Sequence, residues 1–132
     1  MQIPPSQHRL ILIIEEDQDV GCIIETMLRY HGFTVARATS ASEAILLTAN
    51  HCPDLVVTEL ELQDAVPEQL CATIRQCTAN RSIPFIGFTS DPEDVDQEGC
   101  SAVDLIIRKP NFQELVKTVL MLAPSPSPTA PG

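Results

Sequence analysis

The sequence predicts a doubly wound α/β fold, in which a parallel sheet carries helices on both faces. Short, continuous apolar runs such as Leu10 to Ile14 are typical of strands that are buried on both sides. Between these runs, apolar residues recur at the spacing of an amphipathic helix. The two patterns alternate along the chain, and this order is typical of parallel α/β proteins.

Composition limits the size and the partners of the protein. The chain has 132 residues, of which 44% are hydrophobic, and this is enough for one domain with a buried core. The formal net charge of −10 argues against direct binding to nucleic acid, which requires a basic surface that neutralises phosphates. The same charge disfavours anionic membrane surfaces. We therefore expect no nucleic-acid partner and no membrane partner.

The cysteines and histidines do not predict a disulfide framework or a zinc site. The cysteines are scattered, odd in number and without a CxxC pair, which favours reduced thiols in a cytoplasmic protein. No signal peptide or membrane-spanning run is visible, which agrees with that location. The histidines lie too far apart in the sequence to support a zinc site. The residues are Cys22, Cys52, Cys71, Cys77 and Cys100, and His8, His31 and His51.

Five apolar runs predict five strands, and capping signals predict the helices between them. Ser40 followed by Glu43 is a capping box, and Asn111 has the same role before the last helix. Pro67 suits the first turn of the third helix. Five helices are expected, and the fourth, after Asp91, is short and poorly periodic. The predicted strands span residues 10–14, 33–37, 55–58, 83–88 and 103–107.

These elements predict one domain over residues 9–122 with a flavodoxin-like sheet. Right-handed crossovers would give the strand order 2-1-3-4-5. Residues 1–8 are polar with two prolines, and residues 123–132 alternate proline with small residues, so we expect both segments to be disordered. Ligands of such sheets bind beyond the carboxyl ends of the strands, where strands 1 and 3 meet.

Acidic residues follow both strands at this switch point. Glu15, Glu16 and Asp17 come directly after strand 1, and Glu59 comes directly after strand 3. Crowded carboxylates repel each other, so a cation is expected nearby: a divalent ion such as Mg²⁺, a lysine, or both.

Two further residues can reach the same space. Lys109 follows strand 5, and Thr89 lies at the end of strand 4. A metal and a lysine against phosphoryl oxygens, with threonine as a hydroxyl donor, could together hold a phosphoryl group.

The order of these motifs resembles the receiver domain of two-component signalling, over about residues 9–122. The resemblance implies a non-enzymatic signalling domain whose partners are a sensor histidine kinase or phosphotransfer protein and a downstream effector. It also implies a possible homodimer through helix 4, strand 5 and helix 5. We expect a stand-alone receiver that acts by protein–protein contacts. The motifs are Ile11 to Asp17 (ILIIEED), Pro53 to Glu59 (PDLVVTE), Ile83 to Ser90 (IPFIGFTS) and Lys109-Pro110.

The resemblance also assigns roles to individual positions. Glu59 falls on the phosphorylated position, and Glu15, Glu16 and Asp17 fall on the acidic cluster. Glu16, Glu59 and the backbone carbonyl of Glu61 would hold Mg²⁺. Thr89 falls on the switch hydroxyl, Lys109 falls on the lysine that the family retains, and the peptide before Pro110 would be cis. The output surface would include four residues wherever they are exposed: Val103, Leu105, Val116 and Val119.

Several positions depart from the family pattern. Glu59 replaces the phosphoacceptor aspartate, and Glu16 replaces a metal-binding aspartate. The other departures are Leu62-Gln63 in place of Met-Pro, Pro67 and Ala102 in place of glycines, and Ile106 in place of the switch aromatic.

The two glutamates predict a loss of the usual chemistry. Each carboxylate lies about one bond length, ~1.5 Å, farther from the backbone than in aspartate. An in-line reaction and a magnesium site both depend on accurate geometry, so we expect slow or absent phosphotransfer and weak Mg²⁺ binding. Glu59 could instead pair with Lys109 without a metal and hold the domain in one conformation.

Two other functions stay open at this point. A conventional phosphoacceptor receiver could use Asp54 or Asp64 as a rescue acid. A flavodoxin-like sheet could also bind a small molecule, although the acidic loop after strand 1 lacks the Gly/Ser/Thr-rich cradle that a flavin phosphate requires.

Overall fold

The structure is a computed structural model that describes residues 9–78, 82–90 and 102–123. A five-stranded parallel sheet has the order β2-β1-β3-β4-β5, which confirms the predicted flavodoxin-like topology. The strands are β1 (Leu10–Ile14), β2 (Thr34–Ala38), β3 (Leu55–Thr58), β4 (Phe85–Thr89) and β5 (Leu105–Arg108).

Four helices lie within the described residues, rather than the five that the sequence pattern predicts. The helix expected after Asp91 falls on residues outside the described ranges. Within those ranges, no helix is long and apolar enough to cross a membrane. The helices are α1 (Gln18–Tyr30), α2 (Ala41–Asn50), α3 (Pro67–Cys77) and α4 (Phe112–Leu122).

The predicted bounds of β1 and β3 are confirmed, whereas the other three strands begin later than expected. Phe33 lies in the turn between α1 and β2, where its amide donates to the Leu28 carbonyl near the end of α1. β4 begins at Phe85, after Pro84, which has no amide hydrogen to donate. β5 ends at Arg108, which pairs with Thr89. The shifts are small, and none changes the face on which a side chain lies.

Helix ends follow the predicted chemistry. Ser40 Oγ accepts from the Glu43 amide, and Asn111 Oδ1 accepts from the Glu114 amide, which confirms both caps. Pro67 occupies the first turn of α3 as predicted. Gly32 follows α1 with φ of 91°, a left-handed conformation that glycine adopts without steric cost.

The apolar residues form two clusters, one on each face of the sheet. Alternate residues of β1 enter different clusters: Ile11 and Ile13 pack with α1 and α4, and Leu12 and Ile14 pack with α2 and α3. The central strands are buried on both faces for this reason. Their carboxyl ends are thereby held at one rigid edge of the sheet.

Candidate functional site

Three charged residues meet at the carboxyl edge of the sheet because the backbone ladder continues past the strand ends. The Glu15 amide donates to the Ala38 carbonyl, and the Glu59 amide donates to the Ile14 carbonyl, both at 2.9 Å. The Lys109 amide donates to the Thr89 carbonyl at 2.9 Å. Glu15, Glu59 and Lys109 therefore project from β1, β3 and β5 into the same space.

The ammonium of Lys109 lies between two buried carboxylates. Its Nζ is 2.8 Å from Glu15 Oε1 and 3.5 Å from Glu59 Oε2. The side chains of Glu15 and Glu59 are only 5% and 9% exposed, and that of Lys109 is 16% exposed. Buried charges of this kind need partners, and here one cation serves two anions.

Burial raises the pKa of the Glu59 carboxyl above its usual value. The charge of Lys109 lowers this pKa, but the neighbouring charge of Glu15 raises it again. Burial alone would lower the pKa of Lys109; its hydrogen bond to Glu15 and the charge of Glu59 outweigh burial and raise it. Since Glu15 has the shorter contact with the ammonium, Glu59 is the less compensated carboxylate.

The other acids of the cluster have different partners. Glu16 lies on the surface, and its Oε2 accepts from the Gln63 amide at 3.0 Å. Asp17 caps α1, where its Oδ1 accepts from the amides of Asp19 and Val20. Glu61 is exposed. Among the described residues, Glu15 and Glu59 are the predicted acidic positions that form ion pairs with Lys109.

The two carboxylates predicted to hold magnesium accept hydrogen bonds from backbone amides in the described residues. Within these ranges, no group of three acidic, histidine or cysteine side chains is placed to hold a metal ion. Glu16 is oriented towards the Gln63 amide, and Glu59 Oε2 accepts from the Leu60 amide at 3.2 Å. The Lys109 ammonium supplies the positive charge beside the two buried carboxylates instead.

Thr89 and Ile106 lie where the sequence predicted them, at the ends of β4 and within β5. Thr89 is buried at the strand end, next to the Lys109 backbone. Ile106 is partly buried and packs against the cluster on the α2 and α3 side of the sheet. The peptide between Lys109 and Pro110 is cis, which confirms the prediction.

Neither alternative acid is placed beside Lys109. Asp54 precedes β3, and its Oδ2 accepts from the Leu10 amide at the start of β1, so it lies at the opposite edge of the sheet. The carboxylate of Asp64 accepts from the amides of Ala41 and Ser42 at the start of α2. These positions argue against either residue as a rescue phosphoacceptor.

Two contacts around the site were not predicted from the sequence. The Phe88 ring lies 5.9 Å from Lys109 Nζ, and it packs on Phe112 with the ring centroids 5.4 Å apart. Leu60, directly after Glu59, covers Gly87, where a Cβ atom would lie 3.0 Å from a Leu60 methyl carbon. A glycine inside a strand is a general sign of such a close approach, so Gly87 carried a usable signal.

Comparison with known families identifies the class of protein. Residues 11–120 match the family described as "Response regulator receiver domain", and the chain belongs to this family. It is thus a receiver domain of two-component signalling, a class of signalling switches.

Individual relatives agree with this assignment. The chain is 26% identical over 116 residues to the polar-differentiation response regulator DivK of Brucella ovis. The alignment covers 83% of this chain and 94% of DivK. A two-component response regulator of Clostridium difficile is 26% identical, with a TM-score of 0.75 and coverage of 87% of this chain and 95% of the other.

A third relative shows the same fold with a metal. The receiver domain of the sensor histidine kinase PA1611 from Pseudomonas aeruginosa is 21% identical, with a TM-score of 0.74, and it covers 87% of this chain and 97% of its own. That domain has a magnesium ion coordinated in its active-site cleft. At this identity the likeness shows the fold alone.

Proposed function

We propose that this receiver domain signals through protein–protein contacts, in a state that Lys109 stabilises and that does not require phosphorylation of Glu59. One observation carries the proposal: the Lys109 ammonium lies 2.8 Å from Glu15 and 3.5 Å from Glu59. An internal ion pair thus occupies the position at which the family pattern places phosphoryl transfer.

The position of Glu59 disfavours its own phosphorylation. Glutamate can form an acyl phosphate in principle. Its carboxylate, however, is buried, accepts a hydrogen bond from the Leu60 amide, and forms an ion pair with Lys109. An attacking oxygen displaced by ~1 Å can lower the rate roughly a hundredfold. We therefore expect phosphotransfer to be slow or absent.

Magnesium binding should be weak for a related reason. Mg²⁺ requires near-octahedral oxygen ligands and holds its own waters firmly. Glu16 and Glu59 each accept a hydrogen bond from a backbone amide in this arrangement, from Gln63 and Leu60 respectively. Glu16 would have to leave the Gln63 amide before it could bind a metal.

A fixed negative charge at Glu59 can act as a partial mimic of the phosphorylated state. The extra methylene extends the carboxylate to the ammonium of Lys109, which in turn is joined through its backbone to Thr89. The partners of such a domain are a sensor histidine kinase or phosphotransfer protein and a downstream effector. We place this role in the cytoplasm, and the exposed free thiols of Cys22, Cys52 and Cys77 support that location.

The surface through which the domain binds partners, or a second copy, includes β5. Leu105 is 43% exposed and suits such a contact. Val103, Val116 and Val119 are all buried in the core, which removes these three from the set of candidate surface residues.

Treatment with an acyl-phosphate donor and Mg²⁺, followed by intact mass measurement, tests the proposal. The wild-type protein should gain no stoichiometric adduct of about 80 Da, the mass of one phosphoryl group. The double variant E16D/E59D restores both family residues and should gain the adduct. E16D alone is the matched control, because it keeps Glu59 and should remain unmodified. A stoichiometric adduct on the wild-type protein would refute the proposal.

A further inference from the structure

We infer that Glu16 and Asp64 form a clamp that fixes the β3–α3 loop (residues 59–66) against the rest of the domain without a metal ion. The two carboxylates act as positioning residues. Glu16 joins this loop to the β1–α1 loop (residues 15–17), and Asp64 joins it to the start of α2. The inference goes beyond the proposed function, because it holds whether or not Glu59 accepts phosphate.

The first attachment is the hydrogen bond from the Gln63 amide to Glu16 Oε2, at 3.0 Å across 47 residues of sequence. A carboxylate acceptor makes this bond stronger than a bond between neutral groups. An aspartate at position 16 would be shorter by about one bond length, ~1.5 Å, and its carboxylate would not reach the amide from the same backbone. The bond thereby gives a reason for glutamate at this position.

The second attachment completes the N-terminus of α2. A helix begins with amides that have no partner inside the helix. Ser40 Oγ accepts from the Glu43 amide, whereas Asp64 Oδ1 accepts from the Ala41 amide at 3.0 Å. Asp64 Oδ2 accepts from the Ser42 amide and from Ser42 Oγ, both at 3.1 Å. The loop residue thus supplies the acceptors that the helix's own cap does not.

Together the attachments connect three segments around the candidate site. The β1–α1 loop, the start of α2 and the β3–α3 loop are joined by hydrogen bonds to the carboxylates of Glu16 and Asp64. Leu60 fixes the beginning of the same loop, because it is buried against Gly87. The expected metal ligand Glu16 is therefore already engaged in holding the loop that a bound metal would otherwise organise.

Amide hydrogen exchange measured by NMR tests the clamp residue by residue. In Glu16→Ala the Gln63 amide should exchange about three- to tenfold faster, as the loss of one hydrogen bond predicts. Glu16→Gln keeps an acceptor oxygen at the same distance and should change the rate less than about twofold. Asp64→Ala should accelerate exchange of the Ala41 and Ser42 amides. In that variant the Gln63 amide should exchange more slowly than it does in Glu16→Ala. Both positions are exposed, so the remaining spectrum serves as the check that each variant is folded.

Two outcomes would overturn the inference. One is an unchanged Gln63 exchange rate in Glu16→Ala. The other is a wild-type Gln63 resonance that shifts or changes its exchange rate when millimolar Mg²⁺ is added at constant ionic strength, since Glu16 would then bind metal rather than the amide. The mass experiment on Glu59 is separate: a phosphorylated wild-type protein with a protected Gln63 amide would refute the proposed function and keep the clamp.

Discussion

At the residue scale, the pocket depends on one lysine. Glu15 and Glu59 carry two negative charges in a largely buried space, and Lys109 supplies one positive charge between them. Buried ion pairs contribute little net stability over an apolar replacement, but removal of one partner leaves an uncompensated charge. The three side chains should therefore behave as one energetic unit.

Lys109→Met should lower the free energy of unfolding by about 2–4 kcal/mol, because both buried carboxylates lose their cation. Urea unfolding at pH 7 measures the change. Lys117→Met is the matched control, since Lys117 is an exposed lysine on α4 and its loss should cost little. Adding Glu15→Gln to Lys109→Met should recover part of the loss. Equal stabilities for the two lysine variants would contradict the shared-lysine arrangement.

Glu59→Gln should raise the free energy of unfolding at pH 7, because it removes a buried carboxylate that Lys109 compensates only in part. The pKa of Glu59 is raised, mainly by burial, so the folded state binds this proton more tightly than the unfolded state does. Ionised Glu59 consequently opposes folding above its folded-state pKa, and the amide removes that charge.

Glu15→Gln provides the comparison for this variant. Glu15 makes the shorter contact with Lys109, so Glu15→Gln should destabilise the protein. By contrast, Glu59→Gln should stabilise it. Thermal unfolding of the two variants at pH 7 distinguishes them. Equal destabilisation by both changes would show that Glu59, too, is fully compensated by Lys109.

At the element scale, α2 depends on a residue from outside the helix. Asp64 accepts the Ala41 and Ser42 amides, and these bonds hold the pKa of its carboxyl below the usual aspartate value of 3.8. The folded state therefore releases this proton more readily than the unfolded state. The resulting stability is present above about pH 4 and is lost as the pH falls through the lowered pKa.

The stability difference between wild type and Asp64→Asn should follow that pH dependence. It should be constant from pH 7 to about pH 5 and should shrink below about pH 4, as Asp64 becomes protonated in the wild type. Ser40→Ala is the control, because it removes a cap that does not titrate and should cost about 1 kcal/mol throughout. Urea unfolding across the pH series measures both. A difference for Asp64→Asn that does not change with pH would show that the ionised carboxylate adds nothing at this helix end.

At the scale of the whole molecule, the sequence predicts the fold better than the details of the site. Continuous apolar runs placed β1 and β3 correctly, and the strand order then placed Glu15 and Glu59 at one edge. By contrast, the partners of Glu16 and Asp64 are backbone amides 47 and 22 to 23 residues away.

Such bonds have no sequence signature, because every residue except proline carries the same amide donor. The sequence therefore cannot distinguish a glutamate that binds a metal from a glutamate that accepts a hydrogen bond from a backbone amide. The sequence therefore places Glu16 and Glu59 at the same edge of the sheet but does not show that each accepts a hydrogen bond from a backbone amide, and the predicted magnesium site stays a prediction.

The response of the whole domain to Mg²⁺ should separate a metal site from general charge screening. With a net charge of −10, the folded protein repels itself, and any added salt weakens that repulsion. A ligand that binds only the folded state adds a further stabilisation that depends on its affinity. At constant ionic strength, 10 mM Mg²⁺ (roughly saturating for a functional site) should shift the Tm of the wild type by less than about 1 °C relative to KCl. E16D/E59D should show a larger, Mg²⁺-specific shift. A wild-type shift as large as that of the double variant would mean that Glu16 and Glu59 leave the clamp and the ion pair to bind metal.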